Sequence, residues 1–237
     1  MDTERIIYED EHILIYNKPA GLAVQTKRIT ETDLESDIKN YLFRQSGTAP
    51  YLGLVHRLDQ PVEGLVLFAK TKEAAADLSR KIDSRDIEKR YAAVVEGRPG
   101  SPEGKLADFI AWDGRTNKAE VVSEGSRLPG NKKAALSTLE YKCLEEASYE
   151  DRLVSLLDIR LLSGRHHQIR VQLSNMGCPI IGDRKYNEKS PGSEGVSFPA
   201  LAAYRLTFPH PVTKEDVAVN IRPSNPVFDV FYHFQKK

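Results

Sequence analysis

Apolar positions divide the chain into short strand-like runs separated by polar breaks rich in Gly and Pro. Ile6-Ile7-Tyr8 and Ile13-Leu14-Ile15-Tyr16 read as two strands joined by the polar turn Glu9 to His12. Asn17-Lys18-Pro19-Ala20-Gly21 ends the second strand, because Pro19 lacks a backbone donor and Gly21 permits unusual dihedrals. Tyr51 to Val55 predicts another short strand, and Leu65-Val66-Leu67-Phe68-Ala69 is apolar enough to be a buried one. From Glu88 the pattern alternates: Tyr91, Ala93 and Val95 share one face, and Arg90, Ala92, Val94 and Glu96 the other. Lys105 to Trp112, Ala135 to Leu144, Arg152 to Leu162, Leu201 to Thr207 and Val217 to Ile221 complete the predicted strands.

Helical spacing is rarer. Thr30-Glu31-Thr32-Asp33 offers capping residues ahead of Leu34, Ile38, Tyr41 and Leu42, which predicts a helix from Asp33 to Gln45. Ala75, Leu78 and Ile82 predict a second from Lys72 to Ile82. Ile169, Leu173 and Met176 predict a third, short one, opened by Ser163-Gly164-Arg165 and stopped by Gly177 and Pro179. The aromatic tail Pro226 to Phe234 is expected to dock as a terminal helix. Gly97 to Gly104 and residues 187–197 read as loops, and Gly114 to Lys133 as a long, mobile polar excursion. With no internal repeat and no linker, residues 1–237 are expected to form one α+β unit, a mixed, mainly antiparallel sheet with flanking helices.

Composition narrows the class. A hydrophobic content of 40% and a charged content of 29% fit a folded soluble chain and exclude a disordered one. Cys143 and Cys178 are too few for a disulfide framework or a four-cysteine zinc site. Met1 to Tyr16 interleaves charges with its apolar residues, unlike a signal peptide, and no run reaches the roughly 18 apolar residues of a membrane span. A cytoplasmic location is expected. The zero net charge argues against strong nonspecific nucleic-acid binding. The distribution is uneven, however: residues 112–133 hold five bases against three acids, and residues 140–151 one base against five acids, so a bipolar surface is expected.

Three clusters could carry chemistry: His56, Arg57 and Asp59; Lys89-Arg90-Tyr91; and Gly164-Arg165-His166-His167-Gln168-Ile169-Arg170. Metal binding is disfavoured, since adjacent histidines diverge on a helix and no His-x-x-x-His or acidic cluster supports them. No Gly-x-Ser-x-Gly elbow, reactive cysteine turn or Gly-rich phosphate loop is present. Asp59, on a loop between two strands, is the best candidate nucleophile or base, and an arginine beside it would keep it ionised. The bland readings stand next to these. The Asp59 segment also fits a surface turn with ordinary charges. Arg57 and Arg170 fit structural ion pairs, Tyr91 a core-facing strand residue, and Lys18 a solvated loop base or the lining of a pocket.

Taken together, the segments resemble the RluA-type pseudouridine synthases. His56-Arg57-Leu58-Asp59 followed by Gly64-Leu65-Val66-Leu67-Phe68-Ala69-Lys70 is similar to that family's signature. Tyr8-Glu9-Asp10 to Asn17-Lys18-Pro19-Ala20-Gly21, Lys89 to Gly97, and Gly164 to Val171 with Gly177 to Asp183 resemble three further motifs in the same order. The resemblance implies isomerisation of uridine to pseudouridine in structured ribosomal or transfer RNA by a monomer without cofactor or metal. It implies Asp59 as the catalytic aspartate, adding to the base or attacking or deprotonating the ribose of a flipped nucleotide. Arg57 would take the place of the extruded base, Tyr91 would stack on the uracil, and Arg170 would pair with Asp59. Arg165 would contact phosphate or orient its loop, and His56, His167 and Lys18 are expected on the RNA-binding side.

Two departures stand out. Val62-Glu63, after Pro61, occupies the place of a hydroxylic Thr-Ser pair, so a second acid either perturbs Asp59 or points away while Val62 packs inward. His166 stands where Thr or Ser is common. The chain is also expected to lack the small N-terminal RNA-binding domain of many relatives, since the resemblance starts near Ile6. Two other functions compete with the isomerase, namely a catalytically silent RNA-binding protein on the same scaffold and a metal-dependent hydrolase.

Overall fold

The computed structural model describes residues 1–26, 31–126, 133–187 and 196–235. The α+β class holds, with strands that pair mainly antiparallel. The described residues group into two compact units: residues 1–89 with 203–222, and residues 90–202 with 223–237.

In the first unit, β1 (Ile6–Glu9) and β2 (Ile13–Lys18) form a hairpin. The Asp10 carboxylate shapes its turn by accepting the His12 and Ile13 N–H groups at 2.7 and 2.8 Å. After the two-residue strand β3 (Gly53–Leu54), β4 (Glu63–Ala69) pairs with β2 from Ile13↔Ala69 to Lys18↔Gly64. All seven residues of β4 are buried, as its unbroken apolar run requires. Ile13, Ile15, Leu65, Leu67 and Ala69 share a core with Ala74 and Leu78 of a helix spanning Lys72–Ser84. That helix starts where Thr71 accepts the Ala74 N–H, two residues after β4 ends. The earlier helix, Leu34–Ser46, is capped by Asp33 and buries Leu34, Ile38 and Leu42, close to the predicted face. Gly64 is required on β4: its φ is +125°, and a Cβ there would lie 2.4 Å from the Ala203 carbonyl oxygen.

In the second unit the strand order is β5 (Glu88–Glu96), β9 (Arg152–Leu161), β8 (Ala135–Tyr149), β6 (Glu103–Asp113), β7 (Lys118–Val122). The expected excursion from Gly114 is in part a tight hairpin, because Asp113 folds its turn by accepting the Arg115 N–H and the Thr116 hydroxyl; residues 127–132 of it lie outside the described residues. Strand β8 runs five residues past its predicted end, through a bulge between Cys143 and Glu145. It turns at Glu150 and Asp151, which both adopt positive φ although neither is the usual Gly or Asn. A third helix, Gln168–Asn175, begins later than the spacing implied and buries Gln168, Arg170 and Gln172 along with its apolar residues. The tail forms two 3-10 turns, Pro226–Val230 and Tyr232–Phe234, in place of the expected helix, with Val227, Phe228 and Phe231 buried. Most of the 187–197 loop lies outside the described residues.

Candidate active site

The Asp59 turn grows out of β4. After β3 ends, the Val55 N–H donates to the Leu67 carbonyl, and the Leu67 N–H donates at 3.3 Å to Nε2 of His56. The imidazole thus replaces a backbone acceptor where the chain leaves the ladder. Burial, with the Lys89 charge adding to it, pushes the His56 pKa down to about 3, so the ring is neutral, as an acceptor must be. His56 thereby supports the loop through Nε2. Arg57, next in sequence, is exposed. Leu58 and Val62 are buried on either side of the turn, which closes when the Val62 N–H donates to the Asp59 carbonyl at 3.0 Å. Asp59 itself is half-buried.

The Asn17-Lys18-Pro19-Ala20-Gly21 loop is stitched to this turn. Gln60 accepts the Gly21 N–H at 2.9 Å through its backbone carbonyl and donates its side-chain amide back to the Gly21 carbonyl at 3.0 Å. Lys18 is fully buried, and its ammonium donates to the carbonyls of Pro19, Leu22 and Gln60 at 3.0, 2.8 and 3.1 Å. With its three donors engaged, it fastens this loop to the Asp59 turn. Burial pushes its pKa down to about 7, opposed by the carboxylates of Asp59 and Glu63. Val62 and Glu63 are both buried, so the departure from the family pattern puts an acid beside Lys18. A pocket of about 500 Å³ is lined by Gln25, Leu54, Val55, His56 and Arg57.

In the second unit, Tyr91 lies on β5 opposite Ile159 of β9 and is buried, while Arg90 beside it pairs with Asp158 at 2.7 Å. Arg170 is buried at the start of the third helix. Its Nε and Nη2 donate to the two carboxylate oxygens of Asp183 at 2.7 Å each, a bidentate clamp. Asp183 also accepts the backbone N–H groups of Lys185 and Tyr186. The sequence reading gave Asp183 no role; it ended a motif quoted for resemblance, and only the fold reveals what it holds. The Arg170 guanidinium also lies 5.1 Å over the ring of Tyr186.

The two adjacent histidines separate sharply. His167 has a φ of +54°, which turns its ring inward; it is 9% exposed, and its Nδ1 lies 2.7 Å from the Tyr186 hydroxyl. That hydroxyl also accepts the Ala119 N–H, which ties His167 to the β6–β7 hairpin. His167 is buried at this contact, whereas His166 is exposed. Arg165 is exposed too, and its N–H is held by the side chain of Gln168. Among the described residues no group of three or more His, Cys, Asp or Glu side chains is placed to hold a metal ion. No helix among them is long and apolar enough to cross a membrane.

The profile of the family described as RNA pseudouridylate synthase matches residues 12–175, from just before β2 to the end of the third helix. This chain belongs to that family, in its RluA-type branch. It is 32% identical over 210 residues to an uncharacterized RNA pseudouridine synthase, YhcT, of Bacillus subtilis, covering 89% of this chain and 65% of the relative. It is also 32% identical to the dual-specificity RNA pseudouridine synthase RluA of Escherichia coli, with 87% of each chain covered. A ribosomal large subunit pseudouridine synthase C of Rickettsia bellii is 35% identical over 79% of this chain and 58% of its own length. The chain thus spans 58% to 65% of two of these relatives. The solved structure of human RNA pseudouridylate synthase domain containing 1 superposes with a TM-score of 0.73 at 26% identity, covering 95% of this chain and 85% of that one.

Proposed function

We propose that this chain isomerises uridine to pseudouridine in structured ribosomal or transfer RNA, with Asp59 as the catalytic carboxylate. The observation that carries the reading is the Asp59 turn. Its carboxylate is half-buried, and its backbone is fixed from three sides by Val62, Lys18 and Gly21 through hydrogen bonds to Asp59 and Gln60. Such preorganisation is what a group that must meet one atom of an extruded nucleotide requires. In the net reaction the glycosidic N1–C1′ bond breaks, C5 bonds to C1′, and the C5 proton is lost while N1 gains one. A base inside a helix cannot undergo this, so the nucleotide must leave the stack.

In this reading Arg57, exposed next to the turn, enters the gap left by the base, and Arg165 contacts phosphate. Tyr91 supplies an aromatic plane for the uracil, and Arg170 a guanidinium whose orientation Asp183 fixes. Lys18 and His56 brace the Asp59 turn, and His167 braces the segment that carries Arg165 and Arg170. Residues 1–237 act as one catalytic domain, a cytoplasmic monomer with RNA as its partner. The Rickettsia relative, named for the large ribosomal subunit, supports ribosomal RNA as a candidate, and the Escherichia coli relative's name, dual specificity, supports more than one RNA target.

The test uses purified protein and unmodified transcripts of large-subunit ribosomal RNA and of transfer RNAs, with pseudouridine located by carbodiimide-dependent primer-extension stops. Discrete stops at particular uridines are expected. Transcripts that bind at saturation yet acquire no stop would replace the isomerase by a silent RNA-binding protein on this scaffold.

A further inference from the structure

Trp112 and His166 come together far from each other in sequence. Their rings are stacked, with centroids 4.7 Å apart and planes 30° from parallel. Trp112 sits at the end of β6, paired across the hairpin with Ala119, and packs on the cluster of Ile110, Ala119 and Val171 with Tyr186. A second contact holds it in place: His167 meets its ring edge-on at 5.2 Å, and His167 is itself fixed by the Tyr186 hydroxyl. The tryptophan is therefore a rigid base, half-buried, and His166 lies on it with its own ring exposed. The stack is worth about 0.5–1.5 kcal/mol against the rotamer freedom it costs, and it leaves the imidazole held on the braced indole at the surface.

The surroundings say what fits there. Arg165 is exposed immediately before His166, and the β6–β7 turn next to Trp112 carries Arg115 and, cross-strand from Asp113, Lys118. Lys185 reaches the same turn, its ammonium donating to the Asn117 carbonyl at 2.7 Å. The acid within the turn, Asp113, faces its own backbone and the Thr116 hydroxyl. A flat aromatic step rimmed by guanidinium and ammonium groups matches a nucleotide, whose base offers a π-face and whose phosphate offers negative charge. Only an unpaired base exposes that face.

We propose that the stacked Trp112–His166 pair is a platform on which an unpaired base of the substrate RNA, distinct from the target uridine, stacks against the exposed His166 ring. This rests on the RNA-modifying reading above and adds a second recognition point to it. His166 thereby gains a role, and the basic groups around it position the strand.

Trp112 is the sole tryptophan of the chain, so its emission reports on the platform directly. The protein is titrated with a fluorescein-labelled RNA stem-loop and with the same stem as a fully paired duplex, following label anisotropy and tryptophan emission together. Stem-loop binding should quench Trp112 over the same concentration range that raises anisotropy, and bound duplex should not. His166→Thr should weaken stem-loop binding by roughly fivefold or more, the lower end of what one base stacked on an aromatic contributes. His166→Phe should restore it, which a role based on charge or a hydrogen bond would not allow. Stem-loop binding with unchanged emission, or His166→Thr binding like the parent protein, overturns the platform. Where pseudouridine still forms in such RNA, the isomerase reading survives that result; a protein that binds neither RNA refutes both.

Discussion

Replacing Lys18 by Met keeps a stem of similar length and removes only the ammonium, so the variant isolates what the buried charge does. Three carbonyls, of Pro19, Leu22 and Gln60, would lose their donor. A buried acceptor left unmet costs about 1–3 kcal/mol, so three give a range of roughly 3–9 kcal/mol before relaxation. Release from burying a cation offsets part of that loss. The Lys18 pKa drops from 10.5 to about 7, and at about 1.4 kcal/mol per unit this corresponds to at most roughly 5 kcal/mol against the charged form. The sign of the pH dependence follows. Between pH 7 and 10.5 the unfolded chain holds a proton that the folded chain has released, so the Lys18 contribution to stability rises with pH across that window. Urea denaturation should therefore show Lys18→Met less stable by about 3 kcal/mol at pH 9, where the native lysine is mostly neutral and its NH2 group still donates to two of the three carbonyls. The deficit should shrink toward pH 6. A variant as stable as the parent at pH 9, or one with the opposite pH trend, would refute the claim that Lys18 bolts the Asp59 turn in place.

The Glu63 carboxylate favours the charged form of Lys18, so Glu63→Gln should move the midpoint of that stability rise to lower pH, as read from urea titrations at several pH values. Asp183→Asn should cost about 3–5 kcal/mol in denaturation experiments, because it strips the buried Arg170 guanidinium of its bidentate counter-charge. Burial alone would raise the Asp33 carboxyl, but the N–H groups of Ser36 and Thr26 and the Lys39 charge outweigh it and hold its pKa below 3.8. Its stabilisation is present above that value and lost as pH falls through the lower folded one, so Asp33→Asn should flatten the acid limb of the stability curve.

The element pattern was largely legible because β2 and β4 are short, strongly apolar and bounded by Pro19, Gly21 and Gly64. The Leu34–Ser46 helix was legible because Asp33 is a strong cap followed by regular spacing. What local pattern could not convey was pairing that depends on distant partners. The long β8 runs through charged residues because β9 supplies its ladder, and no local signal marks Glu150-Asp151 as a positive-φ turn. The tail is too short and aromatic to sustain a helix, and anchors instead through Glu145, which accepts the Tyr232 and His233 N–H groups at 2.9 Å each.

At the site, motif resemblance pointed to Asp59, Tyr91 and Arg170, but side-chain direction was hidden. Lys18 reads as a loop base and is sealed against three carbonyls. Of two neighbouring histidines, the backbone at His167 turns one inward and leaves His166 to solvent. Asp183 follows a run that looks only structural, and its function appears once Arg170 is seen between its oxygens. Residue type and spacing carry the chemistry of such a site; which groups face the substrate and which brace them is decided by backbone dihedrals and burial.

The central claim is that Asp59 performs the isomerisation, and Asp59→Asn tests it most directly. The turn closes through the Asp59 backbone carbonyl, which asparagine keeps, so the fold should persist and can be verified by circular dichroism and denaturation. The variant should bind RNA and form no pseudouridine in a transcript that the parent protein modifies. Asp59→Asn protein that modifies the same uridine at the parental rate would contradict the account.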